Sequence, residues 1–191
     1  MSHPPNLTYE DLHRNSAWAY GEHPDLELAG ALTEVAPGPA VDLGGGQGRH
    51  ALYLAWLGFD VELVDLSQEA LGQARRSAAE RELRLRTVCA NLAFYEPEPG
   101  LQVAVAALTF HVPARHASLA AVTRIGEALN PGGMLYLSLP GFTDETRAFA
   151  ADLLAAARCD GTVVRHLVTP KERPRLSVPR RNETRAVGFR T

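Results

Sequence analysis

The chain has 191 residues, enough for one sizeable hydrophobic core, and its simplest organisation is a single domain. Apolar residues at 46% and charged residues at 21% are ordinary for a globular chain, and no apolar stretch approaches the roughly 20 residues of a membrane span. A formal net charge of −3 gives no global reason to expect a nucleic-acid partner, and the two cysteines, Cys89 and Cys159, form no metal-ligand spacing. Those thiols read as buried or semi-buried in a reducing compartment. Met1 to Leu7 shows no basic region followed by an apolar one, so a cytoplasmic location is expected.

Residues 1–24 are polar and punctuated by Pro4, Pro5, Gly21 and Pro24, which predicts an irregular segment with one short helix. Trp18 and Tyr20 stand out there, because large aromatics on an irregular segment need something to cover. From Asp25 to Val35, Leu28, Ala31, Leu32 and Val35 recur on one helical face, and Pro37-Gly38-Pro39 ends that helix. A short apolar run through Val41 and Leu43 is the first strand. Arg49–Leu57 reads as a buried helix stopped by Gly58, and Phe59–Val64 as the second strand. Ser67 is placed to cap a helix running to about Glu82. Strands at Leu85–Ala90 and Leu101–Thr109 follow, the latter nearly continuous in apolar residues, as in a central parallel strand. Ala114–Leu129 is a helix, Asn130-Pro131-Gly132-Gly133 a turn, and Met134–Leu139 the fifth strand. Asp144–Arg158 is a helix, and Thr162–Thr169 and Thr184–Arg190 are β-like runs. Alternating strands and helices predict a doubly wound α/β fold with a mostly parallel sheet covered on both faces.

The segment Asp42-Leu43-Gly44-Gly45-Gly46-Gln47-Gly48-Arg49 carries the most chemistry. A strand, a glycine-rich turn and a helix N-terminus make a place where backbone N–H groups meet a ligand and no Cβ blocks its approach. Asp65 ends the second strand, placed to accept hydrogen bonds from a ribose. The pair indicates a nucleoside-containing cofactor. The dinucleotide fingerprint G-x-G-x-x-G is broken, because Arg49 stands at its third small-residue position. No Gly-Lys-Ser/Thr follows, which excludes a phosphate-binding P-loop. Asp42, two residues ahead of the turn, sits badly with a pyrophosphate and suits a cofactor that carries positive charge. Asp42, Asp65, Asn91 and Thr109 all fall at or just beyond the carboxyl ends of successive strands, where such sheets bind ligands.

Val41 to Arg49, Val64-Asp65-Leu66-Ser67, Ala90-Asn91-Leu92, Thr109-Phe110-His111-Val112-Pro113 and Leu129-Asn130-Pro131-Gly132-Gly133 together resemble a class I S-adenosylmethionine-dependent methyltransferase. More narrowly, the chain resembles the small bacterial tellurite-resistance-type members. The resemblance implies a Rossmann-like sheet of seven strands with an antiparallel C-terminal hairpin. It divides one domain into an N-terminal lid and helix region (1–36), a cofactor-binding core (38–140) and a C-terminal helix and hairpin (141–191). It also implies S-adenosyl-L-methionine as the cofactor. Gly44, Gly46 and Gly48 would let its amino-acid portion lie against the backbone, Asp42 would engage the ammonium, and Asp65 the ribose hydroxyls. Asn91 departs from the family's usual Asp at the adenine site; its amide oxygen can still accept from the adenine amino group, with Leu92 N–H donating to the ring. Leu66 and Thr109 complete the expected cofactor set.

The Asn/Asp-Pro-Pro-aromatic motif of enzymes that methylate adenine or glutamine amides is absent at Thr109–Pro113, so the implied acceptor is a small molecule. His111 is the candidate general base, its unperturbed pKa lying near neutrality; a packing role competes, as for His50. Trp18, Tyr20 and Gly21 are candidate lid residues, able to exclude water and to favour a sulfonium by cation–π contact. Lys171–Arg190 carries seven basic side chains against Glu172 and Glu183, more in keeping with a solvated hairpin loop than with RNA binding. No metal is expected and the oligomeric state is open. Two other functional classes compete: a non-catalytic module that holds the cofactor or a related nucleoside for regulation, and a nicotinamide-dependent oxidoreductase, against which Arg49 counts.

Overall fold

The computed structural model describes residues 8–141, 143–166 and 183–190. Helix α1 (Tyr9–Arg14) opens with a capping box, in which Thr8 Oγ1 accepts from Asp11 N–H and the Asp11 carboxylate accepts from Thr8 N–H. Helix α2 (Leu26–Ala31) tightens into a 3₁₀ turn over Leu32–Glu34, so the predicted single helix is two elements that share one face, with Leu28 and Leu32 buried. The remaining helices are α3 (Arg49–Trp56), α4 (Gln68–Glu80), α5 (Arg115–Ala128) and α6 (Asp144–Ala156). Ser67 caps α4 as expected, its Oγ accepting from Ala70 N–H at 3.1 Å.

The strands are β1 (Pro39–Leu43), β2 (Asp60–Asp65), β3 (Arg86–Cys89), β4 (Leu101–Ala107), β5 (Leu129–Pro140), β6 (Cys159–His166) and β7 (Glu183–Arg190). They form one seven-stranded sheet in the order β3-β2-β1-β4-β5-β7-β6. β1 to β5 pair in parallel, and β7 runs antiparallel between β5 and β6. The mostly parallel, doubly wound sheet with an antiparallel C-terminal hairpin is therefore the observed fold.

Alternate strand residues go to opposite faces, which makes two cores. Val41, Leu43, Ala104, Ala106, Leu135 and Leu137 pack with Val122 and Ile125 of α5 and Leu153 and Leu154 of α6. Ala40, Val61, Leu63, Val103, Val105 and Tyr136 pack with Ala51 and Leu54 of α3 and Leu71 and Ala74 of α4. Because both faces of β1 and β4 are buried, their near-continuous apolar sequences match a central position in the sheet.

Three boundaries differ from expectation. β4 stops at Ala107 because Leu108 takes φ +56°, a left-handed conformation that ends the ladder. Asn130–Gly133 does not separate helix from strand; it lies within β5 as an irregularity, since Leu101 pairs with Leu129 and Val103 already pairs with Met134. β6 begins at Cys159, three residues earlier than predicted. Cys89 is exposed, not buried as expected, while Cys159 is buried, and neither is in a disulfide. Residues 1–7, most of the basic run from Lys171, and the predicted end of β6 at Thr169 lie outside the described residues. No helix among the described residues is long and apolar enough to cross a membrane.

Candidate active site

A cavity of about 370 Å³ opens over the carboxyl ends of β1, β2, β3 and β4. That volume is within the range of small-molecule sites, about 300–1,000 Å³, and the position is where open α/β sheets bind ligands. Its wall is built from Gly44, Gly45 and Gly46 after β1, Asp65, Leu66 and Ser67 after β2, Asn91 and Leu92 after β3, and Leu108, Thr109, Val112 and Pro113 after β4. Glu10, His13, Trp18, Tyr20 and Gly21 of the N-terminal segment complete it. Most of the residues singled out in the sequence thus meet around one space, with three exceptions.

The first exception is Asp42. It is fully buried and lies beneath the glycine turn, where Oδ2 accepts from Ala51 N–H at 3.0 Å. A Cβ on Gly45 would stand 2.4 Å from that oxygen, so the turn closes directly over the carboxylate. Burial pushes the Asp42 pKa up, opposed by the nearby His50 and Arg49 charges and by the Ala51 hydrogen bond. Oδ1 has no hydrogen-bond partner among the described residues. Asp42 therefore organises the turn from below and does not reach the cavity. The second exception is Gly48, whose missing Cβ leaves room for Ala74 and Leu63 at 3.2 and 3.3 Å. Its glycine serves the packing of α4 against the turn.

Asp65 is the counterpart on the cavity side. Its Oδ2 accepts from Gly46 N–H at 2.8 Å and its Oδ1 from Ser67 N–H at 2.8 Å, which pins both turns to one carboxylate. Each oxygen retains acceptor capacity for a ribose hydroxyl. Asn91 lines the cavity with its Oδ1 accepting from Ala93 N–H at 2.9 Å, which closes the turn after β3. Arg124 of α5 donates to the carbonyls of Leu92, Ala93 and Tyr95 and so holds this rim in place.

Thr109 is buried in the wall and donates from Oγ1 to Leu43 C=O at 2.8 Å, which ties the end of β4 to the end of β1. Its Cγ2 would stand 2.7 Å from a Cβ on Gly44, so Gly44 is required by this close approach as well as by its φ of +62°. Leu108 beside it is held in its left-handed conformation by Ser138, whose carbonyl and Oγ both accept from Leu108 N–H. The third exception is His111. The chain turns there, with Val112 N–H donating to Thr109 C=O at 3.1 Å, and Val112 and Pro113 enter the cavity wall while His111 does not.

The N-terminal segment is more firmly built than its sequence suggests. Gln47, in the middle of the glycine turn, accepts from Ala19 N–H at 2.7 Å and donates to the Ser16 and Ala17 carbonyls at 2.6 and 3.0 Å. Gln73 of α4 donates to His13 C=O at 2.8 Å and also contacts the Gln47 amide. Glu10 accepts from Ser67 Oγ and Gln68 N–H, docking α1 on the start of α4. Trp18 lies 5.7 Å from the Arg81 guanidinium, and Arg81 also pairs with Glu22 at 2.7 Å. His13, which the sequence did not single out, is buried in the cavity wall with its ring 3.1 Å from where a Gly46 Cβ would be. Of these residues Trp18, Gly46 and Ser67 were singled out in the sequence, and the others were not.

Residues 40–133 match the methyltransferase domain family. A trans-aconitate 2-methyltransferase from Rhodopseudomonas palustris is 35% identical over 124 residues, which cover 64% of this chain and 46% of that protein. This stretch is similar to a methyltransferase domain. Among solved structures, an S-adenosylmethionine-dependent methyltransferase from Clostridium acetobutylicum superposes with a TM-score of 0.69 at 12% identity, covering 85% of this chain and 89% of that one. TehB from Haemophilus influenzae superposes with a TM-score of 0.67 at 17% identity, covering 87% and 61%. At those identities the likeness is one of fold. The chain spans less than half the length of the curated relative it matches.

S-adenosyl-L-methionine is the cofactor that a methyltransferase domain of this fold points to, and the residues present fit it. Asp65 and Asn91 bring oxygen acceptors to the adenosine side, Gly44 and Gly46 bare the main chain, and Arg49 brings a cation to the wall. Trp18 and Tyr20 add aromatic faces to the wall, a chemistry that suits a positively charged sulfur.

Proposed function

We propose that the chain transfers a methyl group from S-adenosylmethionine to a small-molecule acceptor in this cavity. The observation that carries the reading is the meeting of the glycine turn, Asp65, the Asn91–Leu92 rim, Thr109 and the N-terminal aromatics around one space. In it, Asp65 takes the ribose hydroxyls, Asn91 and Leu92 border the adenine, Leu66 covers it, and Gly44 and Gly46 pass the amino-acid portion. Bound S-adenosylmethionine supplies a methyl already activated by its sulfonium. The protein's part is to align a nucleophile and keep water out, and alignment of that kind contributes about 7–11 kcal/mol to lowering a barrier. Trp18, Tyr20 and Gly21, secured by Gln47, form the lid that does so. A reaction of this kind requires no triad or metal cluster, in keeping with His111 standing outside the cavity wall. The location we assign is the cytoplasm, and nucleic acid is not the substrate.

The name of the Rhodopseudomonas relative makes a small polycarboxylate the first acceptor to try. The test is transfer of a labelled methyl group to a panel of thiols, amines, hydroxyls, oxyanions and carboxylates that includes trans-aconitate. Transfer to any of them supports an enzyme. Tight S-adenosylhomocysteine binding with no transfer across the panel would favour a non-catalytic regulatory module.

A further inference from the structure

The geometry points to Arg49 as the residue that binds the carboxylate of the cofactor's methionine portion. This inference rests on the cofactor reading above and assigns a contact that the reading leaves open, since Asp42 does not reach the cavity. The strand order β3-β2-β1-β4 sets the two ends of the space. Asp65 and Asn91, after β2 and β3, take the adenosine end, so the amino-acid end falls over β1 and β4, between Gly44 and Thr109. Arg49 opens the helix that follows β1, directly after the glycine turn, and is part of the cavity wall. It is the one lysine or arginine in the wall among the described residues.

The guanidinium is also held for such a contact. The Arg49 side chain is 16% exposed, and its Nη1 pairs at 3.1 Å with Asp25 Oδ1, itself buried. Asp25 in turn accepts from Tyr136 Oη at 2.7 Å, which fixes the anchor to the centre of β5. The ion pair engages one nitrogen of a group with five N–H donors in a planar fork. A second carboxylate can dock on the remaining edge, and a held, desolvated guanidinium loses little freedom when it does so. The same position explains why the dinucleotide fingerprint fails: where that fingerprint needs a small residue, this site uses a cation.

Isothermal titration of two ligands tests the assignment: S-adenosylhomocysteine, and S-adenosyl-3-thiopropylamine, which keeps the amine and lacks the carboxylate. Wild-type protein should prefer the first. Arg49→Met should lose about 10- to 100-fold in affinity for S-adenosylhomocysteine and stay within about twofold for the amine, erasing the preference. Arg49→Met combined with Asp25→Asn removes both charges of the pair, leaves no lone buried carboxylate, and should show the same erased preference if the single variant melts early. Asp65→Ala should weaken both ligands alike. Equal affinity of the wild type for the two ligands, or a parallel loss of both in the Arg49 variants, would overturn the inference while leaving the cofactor reading intact. Failure of the wild type to bind either ligand would instead overturn the cofactor reading.

Discussion

Asp42 and Asp65 close neighbouring parallel strands, lie on the same face of the sheet and carry the same side chain, yet the protein uses them in opposite ways. Asp42 pairs across the ladder with Leu63, so Asp65 stands two residues farther along, about 6.6 Å toward the open rim. The glycine turn passes between them. From below, Asp42 receives Ala51 N–H; from above, Asp65 receives Gly46 N–H. One carboxylate is excluded from water and its pKa raised by burial, while the other is left facing a ligand-sized space. Two residues along the strand thus separate a carboxylate that shapes the turn from one that faces the cavity.

The comparison breaks most completely at Gly45. A methyl there would stand 2.4 Å from both Asp42 Oδ2 and Leu63 Cδ1, with neither able to retreat from the core. Gly45→Ala should cost about 3 kcal/mol or more, lowering Tm by roughly 6–12 °C in thermal unfolding. Gly30→Ala, where nothing lies within 4 Å, is the control and should leave Tm unchanged or slightly higher. Asp65→Ala comes next. It should weaken S-adenosylhomocysteine binding by about 10- to 100-fold with little change in Tm, as lost hydrogen bonds to a charged group imply. His111→Ala, outside the cavity wall, should leave that affinity within about twofold of wild type.

Gln47→Ala acts on neither aspartate but on the N-terminal segment that completes the cavity wall. It strands Ala19 N–H and two carbonyls, so it should cost about 1–3 kcal/mol locally and open Ser16–Ala19 to limited proteolysis. The smallest effect belongs to Asp42→Asn. Burial raises the folded-state pKa of Asp42 above the ordinary 3.8, so the folded state holds its proton more tightly than the unfolded chain does. The stability this contributes is present in acid and is lost as pH rises through the raised value. Asparagine keeps the acceptor for Ala51 N–H and cannot ionise. The variant's advantage in chemical denaturation should therefore be greater at pH 8 than at pH 4.5, and a difference independent of pH would contradict the assignment.

The sheet was legible because parallel strands buried on both faces write themselves as apolar runs, and Ser67, Gly58 and the glycine turn mark where those runs end. Asp65, Leu66, Asn91 and Leu92 were legible as residues of one cavity for a related reason: they follow strand ends directly. Asp42 and Gly48 were not, because spacing along the chain does not show ladder register or which helix packs on a turn. Neither did the sequence reveal His13, Glu10 or the hold of Gln47 on the N-terminal segment, since those contacts join positions 28 to 60 residues apart in a segment with little periodicity. A single tight turn puts Val112 and Pro113 in the wall and His111 outside its lining, which spacing along the chain does not show.

A crystal structure with S-adenosylhomocysteine tests the central claim most directly. The account predicts density in the cavity over β1, β2, β3 and β4, with the ribose hydroxyls on the Asp65 carboxylate and Asp42 still sealed beneath the glycine turn. Ligand bound elsewhere on the molecule, or Asp42 turned out to meet it while Asp65 stands clear, would contradict it.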